Sequence, residues 1–202
     1  MKMVKIYKKI LTLFLILLFG QNLFANEGVE LKEHFLKKID EVILIVEDKK
    51  LSKDDRNANI IKSLTPMFDF ELMAKLSLGN TWRELNANNQ EKFVELYVER
   101  MKQSYSSKID AYKDEKVQVK EIQQPKDNRI ALMTDLVSKD NKLEIVYKFY
   151  KPKERKGNKD SWLIYDVEIM GVSILKTDKA QFKEFLQTKS ILDLMDALAK
   201  KS

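Results

Sequence analysis

The sequence offers few side chains that could do chemistry. It contains one histidine, His34, and no cysteine, so it lacks both a thiol nucleophile and the imidazole and thiolate clusters that bind zinc. It has no glycine-rich phosphate loop and no paired serine and histidine motif. Asp135 and Asp166 are the carboxylates that interrupt apolar stretches, and a carboxylate desolvated in a pocket can act as a general base. We predict no catalytic residues and no metal site, and keep an enzyme that uses either aspartate as a minor alternative.

The first 25 residues have the composition of a secretory signal peptide. Four lysines precede an apolar run from Ile10 to Phe19, and the small residue Ala25 follows. The run is shorter than the roughly 20 apolar residues of a membrane-spanning helix. We expect cleavage after Ala25, which leaves residues 26–202 as a single exported domain. Loss of the four lysines lowers the formal net charge from +6 to +2, and this small charge argues against nucleic-acid binding.

Two helices joined at a tight corner are predicted between Phe68 and Tyr112. Asp69 is placed to cap the first helix, and Gly79 ends it. The second helix starts after Asn86 and carries an apolar and aromatic side chain every four residues, which makes one broad stripe. The stripe comprises Phe93, Tyr97, Met101, Tyr105 and Ile109. We expect this stripe, together with Trp82, to form a large apolar wall.

Alternating apolar and polar residues after Tyr112 predict four strands. The strands fall around Val117 to Val119, Ile130 to Leu136, Leu143 to Tyr150 and Trp162 to Ile169. Their short connections favour an antiparallel meander, because parallel neighbours need long crossovers. Amphipathic helices are predicted on both sides of this segment. We therefore predict an α+β fold with N-terminal helices, a four-stranded curved antiparallel sheet, C-terminal helices, and an apolar cavity between the sheet and the helices.

The longest connection between strands, from Lys151 to Asp160, is strongly basic. Such a segment is typical of a solvated loop. Contact with anionic lipid headgroups or with an acidic partner is the alternative interpretation.

Two groups of residues, taken together, resemble the MlaC family, also called the toluene-tolerance auxiliary family. The first group is Phe68-Asp69-Phe70-Glu71, Leu78-Gly79-x-x-Trp82 and Gln90-x-x-Phe93, and the second is Trp162-x-Ile164-Tyr165-Asp166-Val167, Gly171-Val172-Ser173 and Gln181-Phe182. The resemblance covers about residues 30 to 200 in the family's order. It departs from the family at Thr177-Asp178, where many members have an asparagine and a tyrosine.

The resemblance implies a soluble periplasmic phospholipid carrier that belongs to an ABC lipid-transport system. Such a protein moves phospholipid between the outer and inner membranes. Its implied partners are an inner-membrane ABC transporter with a lipid-binding ring subunit and an outer-membrane lipoprotein complex. It uses no cofactor, because the bound phospholipid is its cargo.

A carrier of this kind needs a dry apolar cavity. At about 0.8 kcal/mol per buried CH₂, an acyl chain of roughly 15 methylenes loses on the order of 12 kcal/mol when it leaves a bilayer for water. The residues that we predict to contact lipid are Met73, Leu76, Trp82, Phe93, Tyr97, Met101 and Tyr105 on the helices and Leu143, Ile145, Tyr147, Phe149, Trp162 and Ile164 on the strands. The alternative is that the same residues form the filled core of a periplasmic adaptor or chaperone.

Overall fold

The computed structural model describes residues 27–109, 115–139 and 141–200, and only the backbone of residues 105–109. The predicted signal peptide and its cleavage point lie outside these residues. In the described part of the chain, four α-helices precede the sheet: α1 (27–47), α2 (Lys53–Leu64), α3 (Phe70–Leu78) and α4 (Ala87–Ile109). Within the described residues, no helix combines the length and the apolar character needed to cross a membrane.

Side-chain caps fix where the helices begin. Ser52 accepts a hydrogen bond from the backbone N–H of Asp55 at the start of α2, and Asp69 accepts one from the N–H of Leu72 at the start of α3. Gly79 ends α3 with a positive φ of 58°, a backbone conformation that favours glycine. The predicted cap at Asp69 and the predicted stop at Gly79 are therefore confirmed.

The sheet has five strands rather than the predicted four. They are β1 (Lys116–Lys126), β2 (Arg129–Val137), β3 (Lys142–Tyr150), β4 (Leu163–Ile169) and β5 (Val172–Ser173), antiparallel and adjacent in chain order. The predicted meander is confirmed, and the fifth strand corrects the strand count. Met170 and Gly171 have φ values of 49° and 77°, so the chain reverses within two residues and Val172 pairs with Ile169.

Two C-terminal helices complete the α+β fold, α5 (Ile174–Phe185) and α6 (Ile191–Ala199). Ser173 caps α5 by accepting from the N–H of Lys176. Ser190 and Asp193 form a reciprocal capping box at the start of α6. Buried side chains of the sheet, of the helices that precede it in the chain and of the helices that follow it form one hydrophobic core.

Candidate functional site

One face of the sheet is apolar across its four long strands. The register places Tyr147 of β3 opposite Leu132 of β2 and opposite Val167 of β4, so side chains that point the same way form continuous rows. We call this surface the inner face. Its members are Val117, Val119 and Ile122 on β1; Ile130, Leu132, Thr134 and Leu136 on β2; Leu143, Ile145, Tyr147 and Phe149 on β3; and Ile164, Val167 and Ile169 on β4. The opposite face carries charged pairs such as Lys148 with Asp166, 3.2 Å apart.

The inner face is completely buried at one end of the strands and only partly buried at the other. Leu132, Phe149 and Ile164 expose at most 1% of their surface. Further along the same strands every inner-face side chain except that of Thr134 remains partly accessible. These residues, which we call the open end, are Val117, Val119, Leu136, Leu143, Ile145 and Ile169. The helices therefore leave apolar sheet surface within reach of solvent at the open end.

Helix α1 packs on the inner face through Phe35. The Phe35 ring is 1% exposed and its centroid lies 4.8 Å from that of Tyr147 and 6.4 Å from that of Phe149. The sequence prediction did not include Phe35. Its only signal was its place on the apolar side of α1, and that periodicity does not say which surface the helix covers.

The two halves of α1 differ in their surface contacts and in their apolar exposure. In the N-terminal half, Glu27 lies 2.6 Å from the ammonium of Lys151, and His34 lies 2.7 Å from Asp160. The C-terminal half carries five consecutive apolar residues, 42–46, of which Leu44 is 69% exposed. A run of five apolar residues covers all sides of a helix, so α1 presents more apolar surface here than the described structure buries.

The aromatic rings of the predicted α4 stripe contact α5. Phe93 and Tyr97 are fully buried, and their rings meet the Phe182 ring edge-on with centroids 5.9 Å and 6.4 Å away. Met73 of α3 and Met101 of α4 are buried in the same core. The ring contacts of Phe93 and Tyr97 are thus with another helix, not with the sheet.

Asp178 of α5 completes this helical core. It is 2% exposed, it accepts a hydrogen bond of 2.8 Å from the Tyr97 hydroxyl, and it pairs with the Arg100 guanidinium at 2.8 Å. A buried carboxylate is tolerated when it is paired in this way. At the Thr177-Asp178 departure from the family pattern, Asp178 therefore has a defined local role, which is to join α5 to α4.

The remaining predicted residues lie in different surroundings. Trp82 lines a cavity of about 680 Å³ on the outer side of α4, among Glu71, Gln90 and Glu91. Trp162 lines a cavity of about 390 Å³ beside Lys151 and the start of α1. Neither cavity lies between the sheet and the helices, where Phe35, Leu132 and Phe149 pack closely.

Leu76 and Tyr105 are the last two helical residues of the predicted set. Leu76 is 37% exposed, because the helical phase of α3 turns Met73, Ala74 and Ser77 inward and leaves Leu76 on the flank. Leu76 thus lies outside the buried core, and its contact with lipid stays a prediction. The side chain of Tyr105 lies outside the described residues.

The carboxylates considered for catalysis have structural partners. Asp135 lies on the outer face of the sheet, 2.9 Å from the ammonium of Lys142. Asp166 accepts hydrogen bonds from the Ser173 hydroxyl and from the N–H of Leu175. Across residues 27–109, 115–139 and 141–200, no three histidine, aspartate or glutamate side chains come together as metal ligands.

The basic loop between β3 and β4 uses several of its charges internally. Lys151 pairs with Glu27, Lys156 lies 2.9 Å from Asp69, and Lys159 donates to the carbonyl of Thr65 at 2.7 Å. Charge reversal at these three positions would disturb the fold as well as any partner. Docking tests on this loop are therefore better placed at Lys153, which is exposed.

Asp69 combines the cap of α3 with a buried charge cluster. It accepts from the N–H of Leu72 and from the Tyr150 hydroxyl, and it pairs with Lys156. Burial alone raises the pKa of Asp69, but the hydrogen bonds from Tyr150, Leu72 and Lys156 outweigh burial and hold the pKa below its usual value. Asp69 is therefore ionised in the folded protein at pH values where the unfolded chain begins to bind a proton.

We expect Asp69→Asn to lower the free energy of unfolding by roughly 1–3 kcal/mol at pH 7 and by less at pH 3. A depressed folded-state pKa stabilises the fold above the unfolded pKa, and this stabilisation is lost as the pH falls from about 5 through the folded value. Urea unfolding of wild type and variant at both pH values measures the difference. An equal difference at pH 7 and pH 3 would contradict the role assigned to this charge.

Comparison with known proteins agrees with this geometry. A family model described as MlaC protein matches residues 37–200. The intermembrane phospholipid transport system binding protein MlaC of Haemophilus influenzae is 29% identical over 115 residues, which are 56% of this chain and 52% of that protein. The chain thus matches about half the length of this relative.

A solved structure extends the similarity over more of the chain. The phospholipid-binding protein of Ralstonia solanacearum, determined in complex with a phospholipid, superposes with a TM-score of 0.70 at 15% sequence identity. The superposition covers 82% of this chain and 93% of the other. At this level of identity the similarity establishes a shared fold.

Proposed function

The chain belongs to the MlaC protein family, and from this premise we propose that it is a soluble phospholipid carrier of the periplasm and not an enzyme. The observation that carries the proposal is the inner face of the sheet, which is apolar from β1 to β4 and stays partly accessible at its open end. A surface of this kind suits acyl chains, which have no hydrogen-bonding groups for a protein to recognise.

The acyl chains are proposed to lie between the open end and the C-terminal half of α1. Both surfaces are apolar and incompletely buried. Where α1 packs on the sheet beside the open end, the contact consists of the aromatic rings of Phe35 and Tyr147. Rings can separate around a guest chain without loss of a hydrogen bond. Each methylene buried there contributes about 0.8 kcal/mol to the free energy of binding. The free energy lost when this contact partly opens is therefore offset by a few buried methylenes.

Transport between membranes is the wider role that we propose. The Haemophilus relative is named as the binding protein of an intermembrane phospholipid transport system, which supports transport between membranes. The partners that we propose are an inner-membrane ABC transporter with a lipid-binding ring subunit and an outer-membrane lipoprotein complex. The predicted signal peptide supports a periplasmic location. The hydrogen-bonded and ion-paired states of Asp135 and Asp166 support the absence of catalysis.

A second candidate is a periplasmic adaptor or chaperone with a filled core. The close packing of Phe35, Leu132 and Phe149 between α1 and the sheet favours it, because this function needs no space for a guest. The two candidates differ in one measurable property, which is whether the protein holds lipid.

We expect phospholipid to copurify with the protein. The full chain is produced in a Gram-negative host, recovered from the periplasmic fraction without detergent, and extracted with organic solvent for mass spectrometry. A parallel purification from cells that carry the empty vector controls for lipid shed from membranes. Phospholipid in a fixed ratio to protein supports the carrier, whereas lipid-free protein from this preparation would favour the adaptor.

A further inference from the structure

The inner face of strands β2 to β4 carries two hydroxyl groups, and they differ in their partners. The Thr134 hydroxyl donates a hydrogen bond of 2.9 Å to the backbone carbonyl of Ile145. Within the described residues, no group forms a hydrogen bond with the Tyr147 hydroxyl. Tyr147 thus differs from the rest of the inner face, where side chains are apolar or already paired.

The surroundings of Tyr147 are apolar. Its strand neighbours across the sheet are Leu132 and Val167, and the Phe35 ring of α1 packs on it. Burial raises the pKa of Tyr147 to about 12, so the phenol stays a neutral hydrogen-bond donor at any physiological pH. The hydroxyl is not among the buried polar atoms that lack a partner, so water can reach it in the lipid-free protein. A ligand that covers the hydroxyl and excludes this water must supply an acceptor, because a buried donor without a partner is unfavourable by about 1–3 kcal/mol.

Tyr147 lies on β3 between the buried and the partly accessible parts of the inner face. Phe149, two residues along on the same face, is fully buried, while Ile145 on the other side belongs to the open end. Tyr147 itself remains partly accessible. A ligand that enters at the open end therefore meets this hydroxyl before it reaches the closed core.

We propose that the Tyr147 hydroxyl donates a hydrogen bond to an ester carbonyl of the bound phospholipid and so favours ester-linked over ether-linked chains. The inference rests on the proposed function and adds a recognition element to it. An ester carbonyl is neutral and only accepts hydrogen bonds, which matches a neutral donor. A phosphate would bring a charge to a surface where strands β2 to β4 place no lysine or arginine, and an unpaired buried charge is far more costly than a carbonyl.

The test compares two lipids and three proteins. Delipidated wild type, Tyr147→Phe and Tyr165→Phe are titrated with a diacyl phosphatidylglycerol and with its dialkyl ether analogue of equal chain length, and dissociation constants are measured by displacement of a fluorescent fatty acid. Tyr147→Phe keeps the ring that contacts Phe35 and removes only the hydroxyl. Tyr165→Phe is the matched control, because Tyr165 lies on the outer face of β4, where its ring packs on that of Tyr150.

We expect the ratio of ether to ester dissociation constants to be about fivefold to tenfold larger in wild type than in Tyr147→Phe, which is the worth of one hydrogen bond. Tyr165→Phe should keep the wild-type ratio, and the ether lipid should bind Tyr147→Phe at least as tightly as wild type, because it offers the hydroxyl no carbonyl acceptor. Comparison of ratios cancels the different solubilities of the two lipids.

Two results would overturn the inference while the proposed function stands. The first is a ratio that is unchanged in Tyr147→Phe. The second is an equal loss of affinity for both lipids, which would assign Tyr147 to packing alone. Failure of wild type to bind either lipid would instead overturn the proposed function.

Discussion

Ile145→Asp is expected to reduce the phospholipid retained by the protein at least about 100-fold. Ile145 lies on the inner face at the open end, between Thr134 and Ile169 on the neighbouring strands. Because it is only partly buried, an aspartate there can reach water in the lipid-free protein and the fold is retained. An acyl chain laid over the carboxylate would desolvate it at a cost of several kcal/mol, and each 1.4 kcal/mol is about a factor of ten in affinity.

Val137→Asp is the matched control. Val137, like Ile145, is a partly buried β-branched residue of the sheet. It lies on the outer face, however, with Lys116 and Lys142 as its cross-strand neighbours. The same new charge should therefore be stabilised and leave lipid content unchanged. The measurement is phospholipid per protein by mass spectrometry, with a thermal melt of each variant. A folded Ile145→Asp protein that retains the wild-type amount of lipid would show that the acyl chains do not lie at the open end.

The strands of the sheet were predictable because their signal is local. Alternation of apolar and polar residues in β2 and β3 gave both the strands and the side chains of the inner face, and the short connections gave antiparallel order. The fifth strand was not predictable. Two residues are too few to alternate, and β5 exists because Met170 and Gly171 adopt positive φ values, which no periodicity encodes.

For the helices, the sequence predicted which side is buried but not which element that side packs against. The stripe of α4 was correctly predicted to be buried at Phe93, Tyr97 and Met101, since periodicity reports which side of a helix is apolar. It does not report what that side packs against. The contacts of Phe93 and Tyr97 with Phe182 depend on where α5 lies, and this position is fixed by tertiary contacts far apart in the sequence.

The candidate site could be predicted from the sequence only on its sheet side. Leu143, Ile145 and Tyr147 were identified from alternation and remain in the proposed site, whereas the part played by α1 was missed. Phe35 reaches the sheet because polar contacts hold the start of α1 to a loop more than 100 residues away, as in the pairs Glu27 with Lys151 and His34 with Asp160. Pairs at that separation have no signature in one sequence.

The second large effect is expected at Asp166. Asp166→Ala should lower the free energy of unfolding by about 3–5 kcal/mol, the usual range when one partner of a buried ion pair is removed. Asp166 is 3% exposed and accepts from the Ser173 hydroxyl at 2.8 Å, from the Leu175 N–H at 3.1 Å and from Lys148 at 3.2 Å. Ser173 in turn caps α5, so this one carboxylate fixes the junction between β4, β5 and α5.

Glu168→Ala separates the role of Asp166 from the simple loss of a charge. Glu168 lies on the same strand and pairs with the same lysine, with Lys148 Nζ 2.7 Å from its carboxylate, but it is more accessible. We expect its removal to lower the free energy of unfolding by less than about 1 kcal/mol. Urea unfolding of both variants, with lipid content measured on the folded fraction, tests the assignment. If Asp166 is structural, the folded fraction of Asp166→Ala still holds lipid because the carboxylate lies away from the inner face. An Asp166→Ala protein as stable as Glu168→Ala would contradict that role and return Asp166 to consideration as a functional group.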